Sequence, residues 1–563
     1  MKIKKFKFNY YILTLIFISL LSCESDDDFL KEKPQTFYTL DNAITAPTQV
    51  DQLLLACYQQ LRNLKIESNS RISRILLGNG TDVMDVPIFR NSEAFSDYSR
   101  LNPQFGDYNS IYSTFYQLIS RANTALYAAN SEEIKWTSEE NQKYAIAQAK
   151  FFRAYGYMNL GELFGGVPIV DQIITVPKFD FERSTRTETY QFAIDDLESA
   201  LPDLPATTAQ AGRIVKAAAQ HYLSELYLAL GVELEDQGKD GSEMYNKSVI
   251  YAGAVVDGGG YALMTERFGT RKDNESKDVF WDLFQMGNVN YQDGNTECIW
   301  AYQVDFDAHV AEDNQSAISH PRNYASQMAL INGYNVILDK TGDPRGIGRC
   351  SPTAYVIYDI WREELGDDIR NSEANIQRTF VYNDPNSSKF GETFLIDEYL
   401  EQFAGRVYPR WGKITTDEWL DVGSGFPNSR LFRDEYAIRL PETILLRAEA
   451  YWRLGENQKA ADDINTIRLR AQCQYLIESG DVTLDFILDE RARELFFEES
   501  RWNTLLRMGG TVTVDRLRTH NYWPNPNIQQ TLNFEYNLWP IPQDVIDRNK
   551  DAVLAQNPGW DGK

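Results

Sequence analysis

The sequence repeats one pattern, tyrosine followed by two variable residues, leucine and glycine, at Tyr157-Met158-Asn159-Leu160-Gly161, Tyr227-Leu228-Ala229-Leu230-Gly231 and Tyr451-Trp452-Arg453-Leu454-Gly455. A small residue stands three positions before each tyrosine: Ala154, Ser224 and Ala448. A small residue one helical turn before an aromatic lets a neighbouring helix approach closely. Because glycine tolerates the left-handed conformation at a helix end, each leucine-glycine pair predicts a buried contact followed by the end of a helix.

This repetition is typical of the first helices of tetratricopeptide helix pairs. After the third copy, a helix predicted over 442–455 is followed by a tight turn and a second helix over 458–471. Apolar periodicity predicts six further amphipathic helices in the first half of the chain, over residues 41–64, 108–130, 138–163, 187–200, 213–230 and 244–256. The chain is therefore predicted to be mainly α, with tetratricopeptide-like helix pairs as its scaffold.

The stretch 261–435 differs from the rest because it is rich in Gly, Asn, Asp and aromatic residues and has only short β-like runs, such as Cys298–Tyr302. Helices resume at Leu440. We expect an N-terminal helical part over 41–260, a long irregular, loop-rich insert with short strands over 261–435, and a C-terminal helical part over 436–563. Loops held by a rigid scaffold often form binding surfaces, so the insert is the expected ligand-binding region.

The N-terminus has the features of a lipoprotein export signal. Four lysines within the first seven residues precede a short apolar run, Tyr10–Leu21, and Leu20-Leu21-Ser22-Cys23 resembles a bacterial lipobox. Residues 1–22 are therefore predicted to be a signal peptide, and 23–40 an acidic tether beginning at an acylated (palmitate-bearing) Cys23. Its Glu24-Ser25-Asp26-Asp27-Asp28 run is similar to signals that export lipoproteins to the outer face of the outer membrane. The acyl chains would be the only membrane attachment.

The composition of the chain indicates which classes of function to expect. Apolar residues make up 43% of the chain and charged residues 24%, so there is enough material for a folded core. The formal net charge is −25, and loss of residues 1–22 removes four lysines and no acid, which gives −29. A field of this sign opposes binding to nucleic acid, so no nucleic-acid partner is expected. The 13% aromatic content favours a binding protein.

The cysteine and histidine patterns do not predict a metal, a cofactor or a nucleophilic catalytic site. Besides Cys23 there are four cysteines, Cys57, Cys298, Cys350 and Cys473, which lie far apart without a paired motif. Their spacing leaves one or two disulfides open. The four histidines lack metal-ligand spacing, and no nucleophile or phosphate-binding motif accompanies them.

Glu490, Arg491, Glu494 and Arg501 form a charged group near the C-terminus that could be mistaken for catalytic carboxylates. The residues have the spacing of one continuous helix, on which oppositely charged neighbours pair. We interpret them as an ion-pair lattice on a helix surface.

Short blocks in order along nearly the whole mature chain resemble those of the SusD/RagB family of outer-membrane nutrient-binding lipoproteins. The blocks are Phe151–Tyr155 with Leu163–Pro168, Arg186 through Asp195–Leu197 to Leu204-Pro205, Gly212-Arg213 with Lys216–Ala219, Asp343–Arg345, Arg439–Pro441 with Arg447–Ala450, Asn465 with Arg468 and Arg470-Ala471, Glu490-Arg491 with Glu494, Glu498 and Arg501-Trp502, Pro540–Pro542, and Gln556–Trp560. Each block alone is weak, but their order is specific. One departure is Asn503-Thr504, which stands where an aspartate commonly follows the Arg-Trp pair.

The resemblance implies a SusD-like fold and a noncatalytic function in nutrient uptake. A SusD-like lipoprotein acts as a lid on a SusC-like TonB-dependent transporter, to which it delivers captured oligosaccharide or polysaccharide. The implied location is the outer membrane, through the lipid anchor at Cys23, with surface exposure.

Aromatic residues beside polar residues on loops are the candidate ligand site, because sugars present C–H faces to rings and hydroxyls to polar groups. The candidates are Asp82, Phe95 and Tyr98, with Asp85 and Phe89 nearby, and in the insert Tyr291, Tyr334, Arg345 and Trp361, with Trp281. We expect one shallow, solvent-facing site formed by the 82–98 loop and the insert. The negative charge of the chain favours a neutral glycan over an anionic one.

Two alternatives remain open at this stage. A RagB-like lipoprotein would bind a peptide and serve a peptide transporter. A glycoside hydrolase would place two carboxylates about 5 Å or 6.5–9.5 Å apart in a cleft. No hydrolase motif is present, but the many acidic residues prevent exclusion by counting.

Overall fold

The computed structural model describes residues 43–66, 71–87, 94–307, 318–337, 343–362, 365–403, 405–416, 419–420, 429–524, 528–532 and 538–562. Cys23 and Phe89 lie outside these residues.

The described residues form a mainly α-helical fold. The helices are α1 Pro47–Ile66, α2 Arg71–Leu76, α3 Gly106–Ala129, α4 Glu139–Phe164, α5 Arg186–Ala200, α6 Lys216–Asp236, α7 Ser242–Val256, α8 Val279–Asp282, α9 His320–Tyr324, α10 Leu440–Arg453, α11 Asn457–Arg470, α12 Leu484–Leu495, α13 Arg501–Leu506, α14 Val512–His520 and α15 Gln543–Arg548. All six helices predicted in the first half are present, as are both predicted around the third repeat, with ends shifted by a few residues. The mainly α fold is thus confirmed.

The three repeated patterns lie on the first helices of the pairs α4–α5, α6–α7 and α10–α11. The predicted role of the glycines holds only for the third copy, where Gly455 follows α10 with φ +75°. Gly161 and Gly231 instead lie inside their helices. An added Cβ at Gly161 would approach the Tyr190 ring of α5 to 2.7 Å, so this glycine allows the paired helix to pack closely.

Short antiparallel strand pairs occur in the insert and at its borders. The strands are β1 Met84–Asp85, β2 Cys298–Tyr302, β3 Ser351–Pro352, β4 Ile376–Gln377, β5 Thr379–Val381, β6 Thr393–Leu395, β7 Arg410–Trp411 and β8 Glu435–Arg439. They pair as β1–β3, β2–β8, β4–β7 and β5–β6. The β1–β3 pair joins the segment before Pro87 to the insert. The β2–β8 pair joins the insert to the strand that ends directly before α10.

A buried ion network replaces the surface lattice expected near the C-terminus. Glu490 and Glu494 lie on α12 and are fully enclosed, whereas Arg501 begins a separate helix, α13. Glu494 pairs with Arg439 at 2.6 Å and also with Arg470. The interpretation as a lattice on one helix surface is therefore wrong, because arginines from distant segments cover these glutamates. Burial alone would raise the pKa of Glu490, but Arg370 and neighbouring arginines lower it to about 2.

The four cysteines of the described residues are buried, and no disulfide joins them, so none of the disulfides left open by the sequence is formed. Burial raises the pKa of both Cys57 and Cys298 to about 12. Among the helices of the described residues, none has the length and apolar character needed to cross a membrane.

Candidate functional site

Asp82 is buried beside two arginines. Its carboxylate accepts hydrogen bonds from Arg501 at 2.6 and 2.9 Å and from Arg516 at 3.1 Å, and none of the side chain is exposed. Burial would raise the pKa of Asp82, but the two guanidinium groups outweigh it and hold the pKa well below its usual range. The prediction that Asp82 faces solvent in a ligand site is therefore wrong.

Phe95 and Tyr98 are also core residues. The Phe95 ring lies 5.4 Å from that of Trp502 and 5.7 Å from that of Trp539. The Tyr98 hydroxyl donates to the backbone oxygen of Gly80 at 2.5 Å. Neither ring reaches solvent, so the prediction of an exposed site at these two residues is also wrong. Some of their partners are local, but Trp502 and Trp539 come from the far end of the chain, and local sequence does not indicate them.

The candidates in the insert lie in separate clusters. Tyr334 is buried beside Phe380 and donates to Asp343. Tyr291 is partly exposed and packs edge-on against Tyr261. Trp281 is buried, Arg345 is half-buried, and Trp361 is half-buried with its indole N–H donating to the Val356 oxygen at 3.0 Å. The structure therefore does not bring Tyr291, Tyr334 and Trp361 into one site.

A different group, around Trp361, combines exposed rings with exposed carboxylates, which is the combination expected of a glycan site. The π-helical turn Tyr355–Asp359 presents Tyr358 and Asp359 to solvent. The Tyr358 hydroxyl donates to Asp397 at 2.7 Å, and the Tyr522 hydroxyl donates to Asp359 at 2.7 Å. We call Tyr358, Asp359, Trp361, Asp397 and Tyr522 the insert face. Tyr358 and Tyr522 are each 37% exposed, which leaves ring surface for a ligand.

The buried ion pairs of Asp82 contact this turn on the side away from solvent. Arg516, which pairs with Asp82, also donates to the Tyr355 hydroxyl at 2.5 Å. The Tyr355 hydroxyl in turn donates to Asp489 at 2.5 Å. Because Tyr355 begins the π-helical turn that presents Tyr358, Asp82 is linked to the insert face through Arg516 and Tyr355.

The 82–98 segment also approaches the insert at Pro87. An added Cβ at Gly405 would contact Pro87 at 3.4 Å and would overlap the ring of Pro524, two residues after Tyr522. The expected meeting of this segment with the insert is therefore present, although the predicted side chains lie behind the surface.

Electrostatics define what the insert face can bind. Burial and the hydrogen bond to Asp397 raise the pKa of Tyr358, and burial and the hydrogen bond to Asp359 raise that of Tyr522 to about 12. Both phenols therefore stay protonated at neutral pH and keep donating to the carboxylates. Each carboxylate has a second oxygen that can accept a hydrogen bond from a ligand hydroxyl. Rings beside carboxylate acceptors suit a neutral polyhydroxyl ligand.

Sequence reasoning named Trp361 but missed Tyr358, Asp359, Asp397 and Tyr522. The adjacent Tyr358-Asp359 pair and the Tyr522-Trp523 pair combine ring and polar groups close to Trp361 and to Pro524. That signal is present in the sequence, but it does not show that the two pairs meet. Within the residues that the structure describes, no cluster of His, Cys, Asp or Glu has the arrangement of a metal site.

Comparison with known proteins identifies the family. Residues 409–560 match the model of the SusD family, and residues 28–228 match a second model, described as starch-binding associating with outer membrane. Together they cover most of the helical frame on both sides of the insert, and with this mainly α fold they define an outer-membrane-associated binding protein. The chain belongs to the SusD/RagB family.

Individual relatives extend this similarity over the whole chain. The chain is 22% identical to a SusD-like protein, P2, of Formosa agariphila, covering 99% of this chain and 100% of that protein. It is 26% identical to the starch-binding protein SusD of Bacteroides thetaiotaomicron over 74% of this chain and 72% of that protein. A solved laminarin-binding SusD-like protein superposes with a TM-score of 0.63 at 20% identity, covering 91% of this chain and 99% of that one.

Proposed function

We propose that this protein is a surface lipoprotein that captures oligosaccharide or polysaccharide at the insert face and delivers it to a SusC-like TonB-dependent transporter. The observation that carries the proposal is the pairing of two partly exposed tyrosines with two exposed carboxylates, Tyr358 with Asp397 and Tyr522 with Asp359. Family relatives named for starch and laminarin binding support a glycan as the ligand.

The anchoring part of the proposal rests on the N-terminal sequence. Cys23 would carry the acyl chains, and the acidic tether after it would direct the protein to the outer face of the outer membrane. The family description, which names association with the outer membrane, supports this location.

A neutral glycan is the ligand class that the insert face favours. Asp359 and Asp397 are both exposed, and a sulfate or carboxylate on the ligand would be repelled by them. Hydroxyl groups would instead donate to their second oxygens while the tyrosine rings contact C–H faces. This local argument agrees with the overall charge of −25.

The two alternatives fit the insert face less well. Each carboxylate already accepts a hydrogen bond from a phenol and is therefore held as an acceptor. Glycoside hydrolysis instead needs one carboxyl group that donates a proton. A peptide ligand would pair its backbone with an edge strand, whereas the insert face presents rings and carboxylates on a turn.

Calorimetry with neutral oligosaccharides of starch and of laminarin tests the proposal. Tyr358→Ala and Tyr522→Ala should each weaken binding by about 1–3 kcal/mol, the effect of losing an exposed stacking ring. Phe390→Ala is the matched control, because this ring is 57% exposed elsewhere on the insert. Circular dichroism should show intact helices in all variants.

Equal affinities in wild type, both tyrosine variants and the control would overturn the insert face as the site. An assay for released reducing ends tests the noncatalytic part of the proposal. Steady release from a bound glycan would instead support the hydrolase.

A further inference from the structure

A pocket of about 460 Å³ lies between α3, residues 168–181 and the chain from α15 to Leu554. This volume is within the range of small-ligand sites, and the pocket shares no residue with the insert face. Most of its lining residues are apolar or aromatic. We call it the α3 pocket, and its walls include Tyr112, Tyr116, Ile119, Phe179, Phe181 and Leu554.

Hydrogen bonds hold the walls of the α3 pocket together. The Tyr116 hydroxyl of α3 donates to the Pro168 oxygen at 2.6 Å. The Phe181 backbone N–H donates to the Asn549 side chain at 2.8 Å, and the Asn549 amide donates to the Phe181 oxygen at 2.9 Å. Because these bonds join α3 to the 168–181 segment and that segment to the C-terminal chain, the pocket is formed before any ligand enters.

The polar groups inside the α3 pocket are already engaged within the protein. The Asn123 side chain donates to the Val170 oxygen at 2.9 Å and accepts from Arg153 at 2.9 Å. No buried side-chain polar atom of the described lining residues lacks a hydrogen-bond partner, and no Asp or Glu is among them. A sugar would therefore leave most of its hydroxyls unpaired there, which costs free energy, whereas an apolar ligand would not.

The walls offer apolar surface that a ligand can reach. Phe179 is 44% exposed and Ile174 is 45% exposed, although both line the pocket. The Tyr116 ring is half-buried, and its centroid lies 4.9 Å from that of Tyr112. Rings attract one another in offset and edge-to-face arrangements, so walls built from several rings favour an aromatic ligand over an aliphatic one.

The charges at the mouth of the α3 pocket are balanced. The Lys178 ammonium lies 3.8 Å from an Asp180 oxygen and over the Phe181 ring, and the Arg548 guanidinium lies 3.8 Å from an Asp544 oxygen. Each cation thus has an acid beside it, and the pocket has no excess charge that would select an ionic ligand. An uncharged ligand fits this mouth best.

We propose that the α3 pocket is a second binding site, for a small uncharged aromatic ligand that carries a polar substituent. The ring enters between α3 and Phe179, and the substituent meets the side chains of Ser120 and Gln172, which line the pocket and are exposed. This site goes beyond the glycan capture proposed for the insert face, and it does not depend on it.

Calorimetry of the full mature chain with 2-naphthol, which is uncharged at neutral pH, tests this site. Binding should saturate at one molecule per chain, and Ser120→Trp should weaken it about tenfold or more, because the added ring occupies part of the pocket. Phe179→Ala, a change on an exposed ring, should weaken it about tenfold through loss of an aromatic contact. Cyclohexylmethanol, which has a hydroxyl but no aromatic ring, should bind more weakly than 2-naphthol.

Gln117→Trp is the matched control for Ser120→Trp, since it adds the same ring at an exposed position of α3 outside the pocket. Phe390→Ala plays that part for Phe179→Ala. Both controls, and Tyr358→Ala on the insert face, should leave 2-naphthol binding unchanged, and circular dichroism should show intact helices in all variants.

Absence of saturable 2-naphthol binding, full affinity in both pocket variants, or losses of the same size in the controls would each overturn the proposal. Equal affinity for cyclohexylmethanol would overturn the assignment of an aromatic ligand. Maltose should not displace 2-naphthol, and displacement would overturn the separation of the α3 pocket from a glycan site. Loss of glycan binding in Tyr358→Ala with 2-naphthol binding intact would support two independent sites.

Discussion

Gly231 of α6 lies directly against Tyr245 of α7, so that an added Cβ at position 231 would approach ring atom Cδ1 to 2.8 Å. Gly161 of α4 has the same relation to Tyr190 of α5. The glycine of the repeated pattern therefore sets the distance between paired helices in both pairs of the first half. Its conformational freedom is not used at either position, because both glycines lie within helices.

Replacing this glycine should destabilise the second helix pair. Gly231→Ala should lower the free energy of unfolding by about 1–3 kcal/mol, the usual effect of overpacking a close contact. Gly253→Ala on α7 is the matched control, since its nearest neighbour would be 3.5 Å from the new Cβ. This change should raise stability by about 0.5–1 kcal/mol, because glycine is unfavourable inside a helix. Urea denaturation measures both, and a loss of the same size in the two variants would contradict the packing role of Gly231.

Asp82 should contribute more to the free energy of unfolding than an exposed acidic residue does. Asp82→Asn leaves Arg501 and Arg516 buried without their counter-charge, so we expect the free energy of unfolding to fall by about 3–5 kcal/mol. Asp485→Asn is the control: this carboxylate also contacts Arg516, at 3.2 Å, but it is 76% exposed. Its removal should change stability by about 0.5 kcal/mol or less. Equal free energies of unfolding for the two variants in urea denaturation would show that the burial of Asp82 does not determine its contribution to stability.

Glu162 should make stability depend on pH. It is buried on α4, and burial, followed by the nearby Glu225, raises its pKa above the ordinary value of 4.5 despite Asn503, Arg507 and Arg186. The folded state then holds a proton that the unfolded state loses as pH rises above 4.5. This contribution to stability is full below 4.5 and declines until the pH reaches the raised folded-state pKa.

Glu162→Gln should remove that decline while keeping the hydrogen-bonding capacity of the side chain. Urea denaturation at about pH 5 and about pH 8 should show a smaller loss of stability in the variant than in wild type. Glu243→Gln, on a side chain that is 75% exposed, is the control and should leave the wild-type slope. An unchanged slope in Glu162→Gln would mean that Glu162 does not hold the proton.

Cys23 should determine membrane attachment. Wild-type protein should incorporate radioactive palmitate and be removed from whole cells by external protease, whereas Cys23→Ala should lose the label and leave the membrane fraction. Ser25→Ala, two residues away in the tether, should behave as wild type. A Cys23→Ala protein that stayed membrane-bound and surface-exposed would contradict the anchor.

Local patterns predicted the helical frame well because they act over a few residues. The helix predicted over 138–163 is observed as Glu139–Phe164, with Ser138 capping its N-terminus through a 3.2 Å hydrogen bond to Asn141. The helix predicted over 187–200 is observed as Arg186–Ala200, where Thr185 and Glu188 form a capping box. Apolar period and caps are both encoded within the segment that folds.

The exposure of the candidate ligand residues was predicted less well, because it depends on distant segments. Phe95 looks like a loop aromatic in sequence, but Trp502 and Trp539 cover it. The insert face depends on Tyr522 meeting Asp359, which lies 163 residues earlier in the chain. Composition drew attention to rings and polar residues in the insert, but which ring reaches solvent is decided by packing that no local pattern records.

The four cysteines of the described residues should react slowly with thiol reagents, because their sulfurs are enclosed. Burial also raises the pKa of Cys57 and Cys298, which disfavours their reactive thiolates. A cysteine placed at an exposed position such as Phe390 would therefore be a single attachment point for a fluorophore or a crosslinker in a variant that lacks residues 1–40. Under the proposed function, binding of glycan and of a transporter could then be followed from one defined position.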